Sequence, residues 1–509
     1  MEQDKISLNI SENLQQIQDV IGNELDYVVR TFDSPLSNRV VQGAVIYMSG
    51  IADKNKLNTL SVELNDTILS ETENIYTVEK FFLQLKTSLL CQVKVTVNTS
   101  NEDLYDEVLL GNTVLLLDGM DQYLVLYTSG AVSRSISETT SQTVIRGPKE
   151  AFTEKLNISI IQIRRIIKDK SLKIEKVCIG DITKTTVAIL YLDTIAKDEI
   201  VEEVRTRLKK IKVDGILDSG YIEQYIKDDP NSIFPTIINS ERPDSVAANL
   251  LEGKIAIVVD GSPYVLTVPA FFAEFLQASE DYYHQYIVSS LIRILRYVAL
   301  VLTMMVPGFY IAITTFHPEM LPTTLLVSIA AQREGVPFPA FVEAFLMEVV
   351  FEILREAGIR MPRAVGSAIS IVGALVLGQA AVEAGIISAF IVIIVSITAI
   401  ASFAIPNYEM SIAIRFLRFI FMFLSASFGL FGTFVGMVIL LLHLNKLKSF
   451  GIPYMTPFSP LNKIENKDTI ALFPLWKMKK RPKSTSKTQS PRINMEMPLY
   501  SSSNKKEPS

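Results

Sequence analysis

From residue 287 to 444 the sequence is almost continuously apolar, and between Asp281 and Lys446 it contains neither Asp nor Lys. Four stretches, 297–316, 366–382, 386–405 and 416–442, approach or exceed the ~20 apolar residues that cross a bilayer. Soluble core helices are seldom apolar on every side for so long. The pattern therefore predicts a polytopic α-helical membrane domain over residues 287–445. Pro307-Gly308 predicts a kink in the first span, because proline removes a backbone hydrogen bond. Residues 320–331 are apolar but too short to cross, which suggests a re-entrant segment. The run 333–339, with two prolines, breaks the chain. Residues 340–357 then read as a helix on which Glu348, Glu352 and Glu356 stand four apart, with Arg355 beside them. One reading is an interfacial helix with a solvated acidic face. The other is the lining of a water-filled path in an oligomer, with the three carboxylates repeated as rings. Gly366, Ser370, Ala374 and Gly378 form a row of small residues that would let another helix approach closely. Gly429, Gly432 and Gly436 supply a second such face in the last span.

Before residue 287 the apolar runs shorten and alternate with polar ones. Residues 1–33 read as a polar arm with a loose helical pattern. A first small α/β subdomain, 34–128, follows. It has strands at 39–48 and 92–97, helices at 56–69 and 101–110, and a hairpin of 113–118 with 122–128 turning at Gly119-Met120. Residues 129–156 read as a Ser/Thr-rich linker and the start of a helix opened by Gly147-Pro148-Lys149-Glu150. A second α/β subdomain, 157–286, carries strands at 173–180, 185–193, 254–260 and 264–268 and helices at 198–211 and 217–226. That order predicts a sheet with helices on one face.

Composition supports two materials in one chain. Half of the 509 residues are apolar (49%) and mean hydropathy is +0.29, yet 20% are charged. The net charge of −5 is uneven, for residues 446–509 hold thirteen Lys/Arg against four Asp/Glu. This basic tail, Ser/Lys/Pro-rich and expected to be disordered from 484, suits anionic lipid better than nucleic acid beside a membrane. Arg293 and Arg296 before the first span, and Lys446 and Lys448 after the last, place both termini in the cytoplasm. The absence of a secretory leader and the lone Cys91 and Cys178 agree with a reducing compartment. No phosphate loop, zinc motif or nucleophile elbow is present, and His284, His317 and His443 are far apart. The sequence predicts no enzyme, no catalytic residue, no cofactor and no metal.

Several long stretches resemble the A subunits of spore germinant receptors, the GerA family. They include IRGPKEAFTEKL (145–156), LDSGYIEQYI (217–226), LLEGKIAIVVDGSP (250–263), REGVPFPAFVEAFLMEVVFEILREAGIRMP (333–362), ISIVGALVLGQAAVEAG (369–385) and SFGIPYMTPFSP (449–460). Family members often carry Pro where this chain has Ala389. The resemblance implies a subunit in the inner membrane of a bacterial endospore. It would work with a nutrient-binding, transporter-like B subunit and a C lipoprotein, and oligomerise into an ion-conducting path opened by nutrient. A relative in the same family, an accessory protein of the stage V sporulation machinery, is an alternative, and so is a secondary transporter.

Overall fold

The computed structural model describes residues 5–21, 27–36, 39–70, 77–130, 139, 142–360, 378–462, 465–487 and 492. Its first unit contains α1 (Ile10–Ile21), β1 (Tyr27–Leu36), β2 (Arg39–Met48), α2 (Lys54–Ser70), α3 (Val78–Leu90), β3 (Val95–Asn98), α4 (Asn101–Leu109), β4 (Thr113–Leu117) and β5 (Tyr123–Leu126). The strands form an antiparallel sheet in the order β1-β2-β4-β5-β3. Side chains alternate across a strand, so Leu115 and Leu117 face α2 and α3 while Val114 and Leu116 face α1 and α4. Both faces of the sheet are covered, which makes every residue of β4 and β5 buried and hides the alternation. The expected arm over 1–33 is different in part. Residues from Tyr27 onward are a strand paired along its length with β2, and Ile10 and Ile17 of α1 are core residues.

The second unit repeats this plan. It comprises α5 (Leu156–Ile166), β6 (Leu172–Ile179), β7 (Thr185–Leu192), α6 (Asp198–Lys210), α7 (Ser219–Ile226), β8 (Ile238–Ser240), α8 (Pro243–Leu251), β9 (Ile255–Val259) and β10 (Val265–Val268). Its sheet order is β6-β7-β9-β10-β8, the order of the first sheet moved on by five strands. Helices α6 and α7 cover one face, and α5 and α8 the other. The expectation of helices on one face is thereby corrected: Ala188, Leu190, Ala256 and Val258 face α5 and α8, while Val187, Ile189, Ile257 and Val259 face α6 and α7. The short strand β8 and helix α8 escaped the sequence reading, since three residues carry no period.

The helix expected to open at Pro148 starts at Leu156. Arg242 donates to the carbonyls of Gln142 and Pro148, and Phe152 N–H donates to Glu241 O, holding this segment extended along the second unit. Asp260, in the β9–β10 turn, accepts from Leu156 N–H at 3.1 Å and so sets where the helix begins.

The apolar block folds as a helical bundle: α9 (Tyr286–Phe316), α10 (Thr323–Arg333), α11 (Ala340–Arg360), α12 (Ala389–Phe403) and α13 (Tyr408–Lys446). The helical runs α9 and α13 are long and apolar enough to cross a membrane. Helix α9 continues through Pro307. Gly308 faces Phe421 and Ser425 of α13, where a Cβ would come within 2.8 Å of Ser425 Oγ.

The run α13 is not one straight rod, which corrects the single span expected at 416–442. Gly429 has φ 62° and ψ −144°, outside helical values. Ser425 Oγ and Thr433 Oγ1 are 2.8 Å apart although eight residues separate them, about 12 Å of rise in a straight helix. Leu440 and Leu444 share a core cluster with Met410 and Ile414. The chain therefore reverses at Gly429, and arms 408–428 and 430–446 pack antiparallel. Gly429 lies beside Phe316 and His317, at the end of the bundle remote from the α/β units. At the near end, Ser449 Oγ bonds Thr236 O and Ala270 N–H, and Asp228 accepts from Phe450 N–H.

Arg293 and Arg296, read as topology-setting charges before the first span, are buried at this junction. Asp281 Oδ2 accepts from Arg293 Nε at 2.9 Å and from Arg296 Nη1 at 2.7 Å, and Asp468 Oδ1 takes Arg293 Nη1 at 2.7 Å. The tail is also more ordered than expected. Thr485 and Ser486 are buried, Ser486 bridges to Ala196, and Lys487 pairs with Asp198 at 2.8 Å.

Two outcomes follow from this packing. In a straight helix, Gly432→Ala would add up to about 1 kcal/mol of helix propensity. In the hairpin, its Cβ would overlap Leu424 O and come within 2.8 Å of Phe428 Cβ, so the substitution should instead lower the melting temperature of the detergent-solubilised protein. A rise in melting temperature would contradict the reversal. Asp281→Ala removes the acceptor shared by two buried guanidinium groups and should cost about 3 kcal/mol, read as an earlier denaturation midpoint. An unchanged midpoint would mean that Asp468 alone balances Arg293.

Candidate functional site

Helix α11 begins after Pro337 and Pro339, with Glu343 in its first turn and Arg360 in its last, each at the end that the helix dipole favours. It packs against α9, α12 and the 408–428 arm. Its ionisable side chains consequently fall among apolar neighbours, where a charge without a partner costs several kcal/mol.

The three predicted carboxylates meet different surroundings. Glu348 is fully buried, with Oε2 at 2.8 Å from Arg418 Nη1 and Oε1 accepting from Thr398 Oγ1 at 3.2 Å. Glu352 holds two guanidinium groups, Arg418 Nη2 on Oε1 at 2.8 Å and Arg415 Nη1 on Oε2. Its side chain keeps 26% exposure, against none for Glu348. Glu356 is exposed and pairs with Arg360 one turn on. The structure thus brings Glu348 and Glu352 into one cluster and leaves Glu356 outside it. The solvated acidic face of the interfacial reading is absent at Glu348, since that carboxylate has no exposure. Of the small-residue row, Gly366, Ser370 and Ala374 lie outside the described residues. Gly378 is buried, and a Cβ there would meet Val392 of α12 at 3.5 Å, an ordinary contact.

Three participants were missed. Arg415 and Arg418 belong to no motif that the sequence shows, yet they provide the counter-charge. Glu343 is fully buried, bonded to Ser388 N–H at 3.0 Å and 3.3 Å from Arg333 Nε. A signal existed: ionisable residues inside an apolar block are expected to pair with one another. Arg415 and Arg418, three apart, share a helix face just as Glu348 and Glu352 do. Arg355, also near this cluster, donates to Ser402 Oγ at 3.3 Å and lies 5.1 Å from the centre of the Phe403 ring.

A cavity of about 880 Å³ lies where the second unit, the tail and the loop before α13 meet, lined by Arg242, Asp244, Glu252, Glu280, Asn407 and Asp468 among others. Burial raises the Glu252 carboxyl above its ordinary value, although Arg492 opposes the shift. Burial and a hydrogen bond donated to Asp244 raise the Tyr283 hydroxyl in the same region. The charges here are of both signs and largely paired, as in Arg242–Asp244 at 2.7 Å.

Comparison with known proteins places this arrangement. The sequence profile of the Bacillus/Clostridium GerA spore germination protein family matches residues 15–484. The chain is 46% identical over 484 residues to spore germination protein KA of Bacillus subtilis, covering 95% of this chain and 88% of that protein. It is 43% identical over 482 residues to the uncharacterized membrane protein YfkQ of the same organism, covering 95% and 92%. Among solved structures, the N-terminal domain of the A subunit of the Bacillus megaterium spore germinant receptor GerK3 is 35% identical, with a TM-score of 0.42, covering 53% of this chain and 97% of that domain. A match across nearly the whole length, at such identity, settles the assignment: the chain belongs to the GerA family of spore germination proteins.

Proposed function

We propose that this chain is the membrane-embedded A-type subunit of a nutrient germinant receptor, that it oligomerises, and that its bundle contributes an ion-conducting path. The observation that carries the reading is two carboxylates, Glu348 and Glu352, one turn apart inside the bundle and met there by Arg415 and Arg418. Carboxylates at such a position are retained where ions or protons pass, and repeated around an axis they favour cations. Glu352, the partly exposed member, is the residue expected to meet the path. The chain has no catalytic role in this reading and takes no cofactor. B and C subunits are the partners, and the nutrient is recognised by the B subunit.

The membrane assignment rests on the outer surface of the bundle. Phe423, Phe428, Phe431, Phe434 and Leu442 are exposed on α13, and Ile400 and Phe403 on α12. An apolar surface of this extent calls for lipid or protein against it. Residue 286 and residue 446 lie at the same end of the bundle, beside the α/β units, so the amino-terminal units and the tail share one side of the membrane. The basic surplus after Lys446 makes that side cytoplasmic.

Topology and conduction are tested separately. A cysteine at exposed Lys480, with Cys91 and Cys178 changed to Ser, should resist a membrane-impermeant maleimide applied to intact cells and react after lysis. Labelling of intact cells would reverse the orientation. In spores, Glu352→Gln should lower the rate of potassium release after nutrient addition severalfold while the protein remains at its normal level in the membrane. An unchanged rate and unchanged cation preference would remove Glu352 from the path.

A further inference from the structure

The cluster that holds Glu352 is electrically closed. Both of its carboxylate oxygens are occupied by guanidinium groups, and the Arg418 group also reaches Glu348. Two negative charges meet two positive charges, and Arg355 stands one helical turn beyond Glu352. A carboxylate so engaged offers nothing to a passing cation. The carboxylates belong to α11 and the arginines to the 408–428 arm, so the neutralisation lasts only while those two helices stay together.

We infer that Arg415 and Arg418 are a charge lock, which rests on the ion-path reading above: they hold the path shut by cancelling Glu348 and Glu352, and opening requires the 408–428 arm to withdraw from α11. Two further observations support this. The contact between Arg418 Nη1 and Glu348 Oε2 is 2.8 Å long but lacks hydrogen-bond alignment, and both atoms, with Arg418 Nε, have no hydrogen-bond partner. Once the helices part, water can meet all three atoms, and a cation can meet the Glu348 oxygen. The arm is also held at its base by the second α/β unit. Glu409, in its first turn, accepts from Asn239 Nδ2 of β8, and Asn239 O accepts from Gln142. A shift of that unit is therefore passed along a stiff helix to Arg415 and Arg418, about two turns away.

Spores carrying the full-length variants in place of the native chain test the lock, with potassium release as the readout. Arg415→Gln/Arg418→Gln should release potassium without nutrient, severalfold faster than the wild-type chain. Adding Glu352→Gln should slow that release again. A second variant keeps the charges in place. Phe345 of α11 and Phe419 of the arm lie 5.8 Å apart, ring centre to ring centre. Phe345→Cys/Phe419→Cys, in a Cys91→Ser/Cys178→Ser background and bridged by a short reducible bis-methanethiosulfonate, should release no potassium on nutrient addition, and recover on reduction. Normal release from the bridged pair, with the cross-link verified by mass spectrometry, overturns the lock even if the arginine variant fails to reach the membrane. So does an arginine variant present at wild-type levels that releases nothing without nutrient. Nutrient-independent release that Glu352→Gln leaves unchanged in rate and in cation preference overturns the carboxylate-lined path instead.

Discussion

A charge placed in an apolar interior must meet its opposite there, and the helical bundle is arranged around that constraint. At the base of the bundle, Asp281 receives Arg293 and Arg296, and Asp468 from the tail completes the set. Inside the bundle, Glu348 and Glu352 receive Arg415 and Arg418. Replacing such pairs by apolar groups is often neutral or stabilising, whereas breaking one is costly. Their presence is therefore poorly explained by stability alone. The lower cluster joins three segments distant in sequence: the end of the second α/β unit, the first bundle helix and the tail. The upper cluster joins two helices whose separation would expose charge.

The α/β half supplies a rigid base for this bundle. Its two units have the same element order and the same strand order, with helices on both faces of each sheet. Ile161 of α5 packs against the core of the first unit, so the repeats are in contact. The second unit meets the bundle through Phe272, Phe275 and Leu276, which share a core with Met304, Ile414 and Leu444. Asn239 of the second unit also meets Glu409 in the first turn of the 408–428 arm. That contact is a physical link between the α/β half and the helix that carries the arginines buried in the bundle.

Much of the architecture was legible in the residues. Short apolar, β-branched runs bounded by turn residues gave the strands 39–48, 113–118 and 185–193 nearly to the residue, and the prolines at 337 and 339 marked the start of α11. The failures have specific causes. Residues 27–33 of strand β1 were taken for part of an arm because 1–33 read as polar with a loose helical pattern, yet pairing with β2 makes them a strand. The α5 start was misplaced because its cap, Asp260, is 104 residues away. Glycine at 429 serves a packed straight helix and a chain reversal equally well in sequence, and contacts of the folded chain, such as Ser425 with Thr433, separate the two.

The sequence by itself determined the apolar block, the two α/β units before it, the family, and the unusual stripe of Glu348, Glu352 and Glu356. These depend on residue type and on neighbours a few positions away, which local periodicity records. Tertiary structure decided that the stripe divides, with two carboxylates paired and one exposed. It also decided that the last apolar run folds back on itself, and that Arg293 and Arg296 are buried partners rather than surface markers. Each of these depends on which distant helix packs opposite. A charge in an apolar sequence announces that a partner is needed, but the low-dielectric interior that makes the partner necessary exists only once the helices have come together.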